Sequence, residues 1–302
     1  MDIKPEELDL TLPELTVRLP EIKSITLYTP PSSFILPSSF ATLRSFAHLT
    51  ILDLTANFLK FSHFTEIVSA FPKLEDLRVR IEFENPASWD ISHRPSAHLH
   101  SLRVIWPTRE ILQWLLSLYP VPAIPNLDLH ISLNGDSDIP FIAKYFRSVG
   151  DKLKTFTLAC HSEDGLESDS DAHFSKHVYR DLNLSVNTTL QSMTVDAESV
   201  STTFIECLVS QLNSPDFREL KFNNFYSGDE WHSVDRRLSE ILSLRQFMII
   251  CSFLDPEASE EKVRAAFPRC NDRGILDVQC QEDDDDSLIF EYAVCRNYSL
   301  QL

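Results

Sequence analysis

The chain has 302 residues, 43% of them hydrophobic, which is enough to bury a continuous core in two domains or in one long repeat array. Its formal net charge is -18 and its pI about 4.9, so it lacks the cation surplus that holds a phosphate backbone and is repelled by an anionic membrane surface. With only 5 glycines it has few positions suited to a tight phosphate-cradling loop, so no nucleic-acid, membrane or nucleotide-binding role is expected.

Residues 1–18 form an acidic lead, expected to cap the N-terminal end of the fold. From there an apolar triplet with spacing LxxLxL recurs. Its fullest form is Leu49-Thr-Ile-Leu52-Asp-Leu54-Thr-Ala-Asn57, which fits LxxLxLxxN. In chain order the triplets are Ile22-Ile25-Leu27, Leu49-Leu52-Leu54, Leu74-Leu77-Val79, Leu99-Leu102-Val104 and Ile124-Leu127-Leu129. Then come Leu153-Phe156-Leu158, Leu190-Met193-Val195, Phe217-Leu220-Phe222 and Leu244-Phe247-Ile249. Leu276 and Val278 close a tenth copy whose first anchor falls on Arg273. The starts are 27, 25, 25, 25, 29, 37, 27, 27 and 29 residues apart. The one long step contains Glu163–Asp171, an acidic, Ser-rich loop.

The second and third anchors are two residues apart and share one face of a short strand. Most intervals carry helical spacing ahead of the strand: Phe64-Ile67-Val68-Phe71, Ile111-Leu112-Trp114-Leu115-Leu118, Phe141-Ile142-Tyr145-Phe146-Val149, Phe204-Ile205-Leu208-Val209-Leu212 and Leu238-Ile241-Leu242. Helices are expected to stop at Phe71-Pro72, Tyr119-Pro120, Val149-Gly150 and Phe267-Pro268. Pro30–Ser39 and Glu82–Ser96 read as irregular polar connections. One helix–turn–strand unit cannot bury its apolar face alone, but a stack of such units can. The prediction is an α/β solenoid over residues 19–280: about ten irregular repeats, a concave parallel sheet and outer helices bent into a right-handed horseshoe. Residues 281–302 add the acidic run Glu282–Asp286 and a final strand, Leu288–Cys295, across the open end. The acidic run lacks the ligand spacing of a calcium loop.

On phrases such as Phe71-Pro-Lys-Leu-Glu-Asp-Leu-Arg-Val79 and Leu49-Thr-Ile-Leu-Asp-Leu54, the chain resembles the leucine-rich-repeat superfamily. More narrowly, it looks like the repeat region of fungal F-box proteins. That resemblance covers roughly residues 15–280 and implies a substrate-recognition subunit of a ubiquitin ligase. The F-box, a helical module ahead of the repeats that docks a Skp-type adaptor, is not found. Leu12-Pro13-Glu14-Leu15 echoes its opening, but the first repeat begins near Leu19, so the adaptor is a partner only if an F-box lies outside this chain.

No phosphate loop, dinucleotide fingerprint, nucleophile elbow or HExxH occurs, and no catalytic residue or cofactor is expected. Cys160, Cys207, Cys251, Cys270, Cys280 and Cys295 include no CxxC and read as reduced thiols of an intracellular protein, cytoplasmic or nuclear. Cys160, Cys251 and Cys280, like Asn224, fall two residues after a third anchor, a structural corner in such repeats. Cys270, Cys280 and Cys295 give only a weak metal signal. His173-Phe-Ser-Lys-His177, with His161 before it, has zinc-like spacing and sets an alternative: a metal-binding or hydrolytic protein using the His161–His177 insertion. A structural paralogue without a specific partner is a third reading. The sequons at Asn183, Asn187 and Asn297 are expected to stay unglycosylated.

Between the anchors, the outward row runs Thr26, Asp53, Arg78, Arg103, Asp128, Thr157, Thr194, Lys221, Met248, Asp277. The next row runs Tyr28, Thr55, Arg80, Ile105, His130, Ala159, Asp196, Asn223, Ile250, Gln279. Arg78, Arg80 and Arg103 thus form a basic cluster flanked by Asp53, Asp128 and His130, with Trp106 at the rim. Arg and Trp are enriched in binding hot spots. The expected partner is another protein, through an acidic or phosphorylated segment, and exchange of the three arginines for Glu is expected to abolish its capture.

Overall fold

The computed structural model describes residues 21–30, 34–35, 37–85, 93–132, 138–161, 182–196, 202–225, 231–251 and 260–280. The lead, the His173–His177 pair, the acidic run and the Leu288–Cys295 strand lie outside these residues. Among the described residues there are ten strands, one at each predicted repeat: β1 (Ser24–Tyr28), β2 (Ile51–Lys60), β3 (Asp76–Asn85), β4 (Ser101–Trp106), β5 (Asn126–Ser132), β6 (Thr155–His161), β7 (Ser192–Asp196), β8 (Glu219–Phe225), β9 (Gln246–Cys251) and β10 (Leu276–Cys280). Among the same residues eight helices lie between them: α1 (Pro37–Leu43), α2 (Phe61–Ser69), α3 (Thr108–Ser117), α4 (Ile139–Val149), α5 (Thr202–Ser210), α6 (His232–Glu240), α7 (Glu260–Ala266) and α8 (Pro268–Asp272). The chain forms two compact units, Met1–Ile131 with Ser137–Phe156, and Ser132–Asp136 with Thr157–Leu302.

In the first unit, β1 to β5 lie side by side in chain order, all parallel. Their anchors fall in register: Leu52 beside Leu77, Leu102 and Leu127, and Leu27 beside Leu54, Val79, Val104 and Leu129. From Leu52 and Leu54 through Leu127 and Leu129, none is more than 2% exposed. The first anchors Leu49, Leu74 and Ile124 are fully buried at the turn from helix to strand. The same turn hydrogen bond recurs at each step, Asp76 N–H to Thr50 O, Ser101 N–H to Glu75 O, and Asn126 N–H to His100 O, at 3.0–3.1 Å. One turn geometry is therefore copied at a fixed pitch, as the sequence spacing predicted.

The longest strands depart from the expectation of short ones. β2 and β3 each run ten residues, and their pairing continues to Lys60 beside Asn85. Glu82–Asn85, read as part of a connection, is strand. Asn57, the last residue of the fullest repeat phrase, sits mid-strand, paired with Glu82 and with its carbonyl accepting from Ile35 N–H. The cause is aromatic packing. Phe61 lies 5.1 Å from Phe83, 5.7 Å from Phe64 and 6.3 Å from Trp114, ring centre to ring centre, and Phe58 lies 6.0 Å from Phe64. Phe58 and Phe83 reach this cluster only if their strands continue past the triplet. Pro37–Ser39 also differ from expectation: they open α1, with Pro37 at the first helical position, where its missing N–H costs nothing.

In the second unit, β7 to β10 follow the same rule: Met193, Leu220, Phe247 and Leu276 are in register, as are Val195, Phe222, Ile249 and Val278. Leu242, placed on a helical face by spacing, is instead 92% exposed, because α6 ends at Glu240 and the chain must turn to deliver Leu244 and β9. Asp235 of α6 is 1% exposed, and its two carboxylate oxygens accept from the N–H groups of Arg269 (3.1 Å) and Cys270 (2.9 Å) in α8. In return Arg273, at the missing first anchor, donates to the carbonyls of Leu238, Ser239, Ile241 and Leu244 at 2.8–3.3 Å. Each of these two helices thus has one end satisfied by the other's repeat.

Asp138 precedes α4 and is 8% exposed, yet its side chain caps nothing. Burial first, then Glu110, push its carboxyl up to about 6 from 3.8, and Arg109 only partly offsets them. Its folded pKa exceeds its unfolded one, so the fold is unpenalised below pH 3.8 and loses stability as the pH rises through about 6. The loss is about 2–3 kcal/mol. Asp138→Asn should therefore raise the melting temperature at pH 7.5 and do nothing at pH 3.5. An equal gain at both pH values would mean that the carboxyl is not the cause.

Candidate protein-binding face

The helices of the first unit cover one face of its sheet, α2 on β2 and α3 on β4, and leave the other face open. On that open face Asp53, Arg78, Arg103 and Asp128 are consecutive register partners across β2 to β5, as predicted. The charges are already engaged with one another. Arg103 Nε lies 3.2 Å from Asp128 Oδ2, and His130 Nε2 lies 3.6 Å from Asp128 Oδ1. Arg78 reaches Asp76 Oδ2, two residues back along its own strand, at 3.4 Å with half its side chain in solvent. The expected basic cluster is therefore a mixed-charge row, with Asp76 as a member that the sequence reading left out. Ion pairs this exposed contribute little to stability, under about 1 kcal/mol each.

The second row also changes. The β3–β4 register shifts between Val79 and Arg80, so Arg80 pairs with Trp106 and not with the predicted Ile105. Trp106, expected at the rim, is brought into the row Tyr28, Thr55, Arg80, Trp106. Tyr28 and Trp106 are each 45% exposed, and Ile51 on the same face is 36% exposed. His130 is held by its backbone, whose carbonyl accepts from Thr108 Oγ1 at 2.6 Å at the start of α3. Six of the seven predicted residues thus fall in two register rows of one sheet, and His130 lies two residues beyond Asp128 on β5. The repeat is similar to a leucine-rich repeat in its LxxLxL spacing and its parallel, in-register strands.

Elsewhere, the apolar core explains the residues that carry other chemistry. Cys160 lies inside β6, 1% exposed on the anchor side, and burial pushes its thiol far above the usual range, the opposite of what a nucleophile needs. It is a core residue within the strand and not at a corner. Cys270 is fully buried, and its thiol is likewise pushed up by burial and by Asp235. Asn187 of the second sequon is 1% exposed, out of reach of a glycosylating enzyme in the folded chain. Among the described residues no group of three or more His, Cys, Asp or Glu is placed to hold a metal ion, and no helix is long and apolar enough to cross a membrane.

No family model and no curated protein matches the chain. Twenty-two chains of solved structures do. Among them is the leucine-rich repeat-containing protein LegL7 from Legionella pneumophila, 14% identical over 89% of this chain and 98% of that one, with a TM-score of 0.42.

Proposed function

We propose that the chain is a protein-interaction scaffold that takes its partner on the open face of β2 to β5. The observation that carries this reading is the row in which the shifted register sets Trp106, nearly half exposed, beside Arg80 and next to Arg78. A rigid sheet that presents arginine and tryptophan to solvent has the make-up of a hot spot. Asp76 holds the Arg78 head and Asp128 that of Arg103, which lowers the ordering cost on binding.

The partner supplies an acidic or phosphorylated segment. Its carboxylate or phosphate takes the place of Asp76 on Arg78 with paired, charge-assisted hydrogen bonds, and an apolar neighbour covers Trp106. Arg103 is committed to Asp128 and is left out of the test. Arg78→Glu with Trp106→Ala should lower capture of the wild-type interactors at least about tenfold, the effect of losing roughly 1.4 kcal/mol. Lys221→Glu, in the second unit, serves as the control. Circular dichroism should be unchanged for both. Equal capture by the double variant and the wild type defeats the proposal.

The narrower role, recognition of substrates for a ubiquitin ligase, rests on the resemblance of the repeat phrases alone. Co-purification of a Skp-type adaptor with this chain is its test. The cytoplasm or nucleus fits six cysteines that read as reduced thiols and include no CxxC. The metal-binding or hydrolytic alternative rests on the His161–His177 spacing, and metal content of the purified chain tests it.

A further inference from the structure

Across β2 to β5 the charges of one register row read Asp53, Arg78, Arg103, Asp128, with an acid at each end and two bases in the middle. Neighbouring strands are about 4.8 Å apart, so the four positions lie at about 0, 5, 10 and 14 Å along a line across the strands. The row is open to solvent, with the side chains of Arg78, Arg103 and Asp128 49%, 31% and 29% exposed. Arg78 is paired with Asp76 and Arg103 with Asp128. A guanidinium carries five donors and a carboxylate about four acceptor sites, so these pairs have room for a further partner.

Pitch and charge order together select what can lie on the row. An extended segment laid across the strands turns every second side chain to the sheet, about 6.7 Å apart, and three such steps overshoot the row by about 6 Å. An α-helix keeps step. Its residues i, i+3, i+7 and i+10 share one face within about 80° and stand at about 0, 4.5, 10.5 and 15 Å along its axis. Each falls within about 1 Å of its strand. A second copy of this chain does not match. The row reads the same from either end, so one row laid on another sets Asp against Asp and Arg against Arg. A uniformly acidic segment is opposed by Asp53 and Asp128 at the ends of the row and by the net charge of -18.

We propose that the partner's docking segment is one amphipathic helix lying across β2 to β5. It carries Glu or Asp at i+3 and i+7 over Arg78 and Arg103, and Lys or Arg at i and i+10 over Asp53 and Asp128. This inference rests on the open face being the docking site. The symmetry of the row lets charge accept the helix in either direction. Trp106, beside Arg80 in the adjoining row and nearly half exposed, sets the direction by taking an apolar side chain from one flank of the helix.

The test measures binding of two alanine-based helical peptides to the full chain by fluorescence polarisation. One carries Lys-x2-Glu-x3-Glu-x2-Lys and the other Glu-x2-Lys-x3-Lys-x2-Glu, each with leucine on both flanks. Their composition and net charge are the same, so only the order of charge differs. The first should bind at least about tenfold more tightly. The combined swap Asp53→Arg, Arg78→Asp, Arg103→Asp and Asp128→Arg should reverse the preference, with circular dichroism unchanged because exposed pairs of this kind contribute little to stability. If the swapped chain does not fold, the two peptides on the wild type decide alone. Equal binding, preference for the second peptide, or no measurable binding of either overturns the helix. Loss of capture by Arg78→Glu with Trp106→Ala alongside any of those results means that the face grips a segment of another shape. Undiminished capture by that double variant overturns the docking face first, and the helix with it.

Discussion

Phe61→Ala should cost the first unit about 4 kcal/mol, the largest loss expected from any single truncation in its core. Phe61 is fully buried and meets Phe64, Phe83 and Trp114 within 6.3 Å, so its removal leaves a cavity lined by rigid rings from α2, β3 and α3. Rings held by three elements cannot collapse into the space, which is why the cavity cost adds to the lost transfer energy. Phe61→Leu fills much of the volume and should cost about a third as much. Urea unfolding followed by near-UV circular dichroism checks both. A loss under about 1 kcal/mol for the alanine variant would mean that the aromatic cluster is not what extends β2 and β3.

Asp235→Ala should destabilise the second unit by about 3 kcal/mol, and Arg273→Ala by only about 1 kcal/mol, although arginine makes more hydrogen bonds. The difference lies in burial. Removing the Asp235 carboxylate leaves two amide groups of α8 without an acceptor, and that of Cys270 is sealed from water. Removing Arg273 frees carbonyls at the end of α6, near the exposed Leu242 turn, where water can replace the guanidinium. Asp235→Asn keeps one acceptor and should lose about half as much. Thermal melts together with amide exchange across α8 and β10 give the ranking. Equal losses for the two alanine variants would show that burial does not govern this clasp.

The strands were legible because each triplet states its face and its start: Leu52 and Leu54 sit where the spacing put them, as do Leu220 and Phe222 in the later repeats. The row Asp53, Arg78, Arg103, Asp128 followed at once, since equal spacing implies equal register. What failed depended on contacts remote in sequence. The alternation of Ala56 with Phe58 and of Ile81 with Phe83 did signal longer strands, but polar Asn57 and Glu82 between them masked it. Nothing local marks the register shift at Val79 and Arg80, so Trp106 was assigned to the rim. Leu242 satisfied a helical period, but a period cannot say where the chain must leave the helix. Nothing local marked Asp235 and Arg273 as a clasp, because their partners are backbone atoms 29–35 residues away.

A turn bond repeated every 25 residues makes the middle modules geometrically equivalent, so a copying error that adds or removes one whole module leaves its neighbours able to rejoin. The ring cluster shared by β2, α2, β3 and α3 breaks that equivalence. Those modules carry shapes fitted to one another, and they must be inherited as a block while the plainer ones are free to come and go.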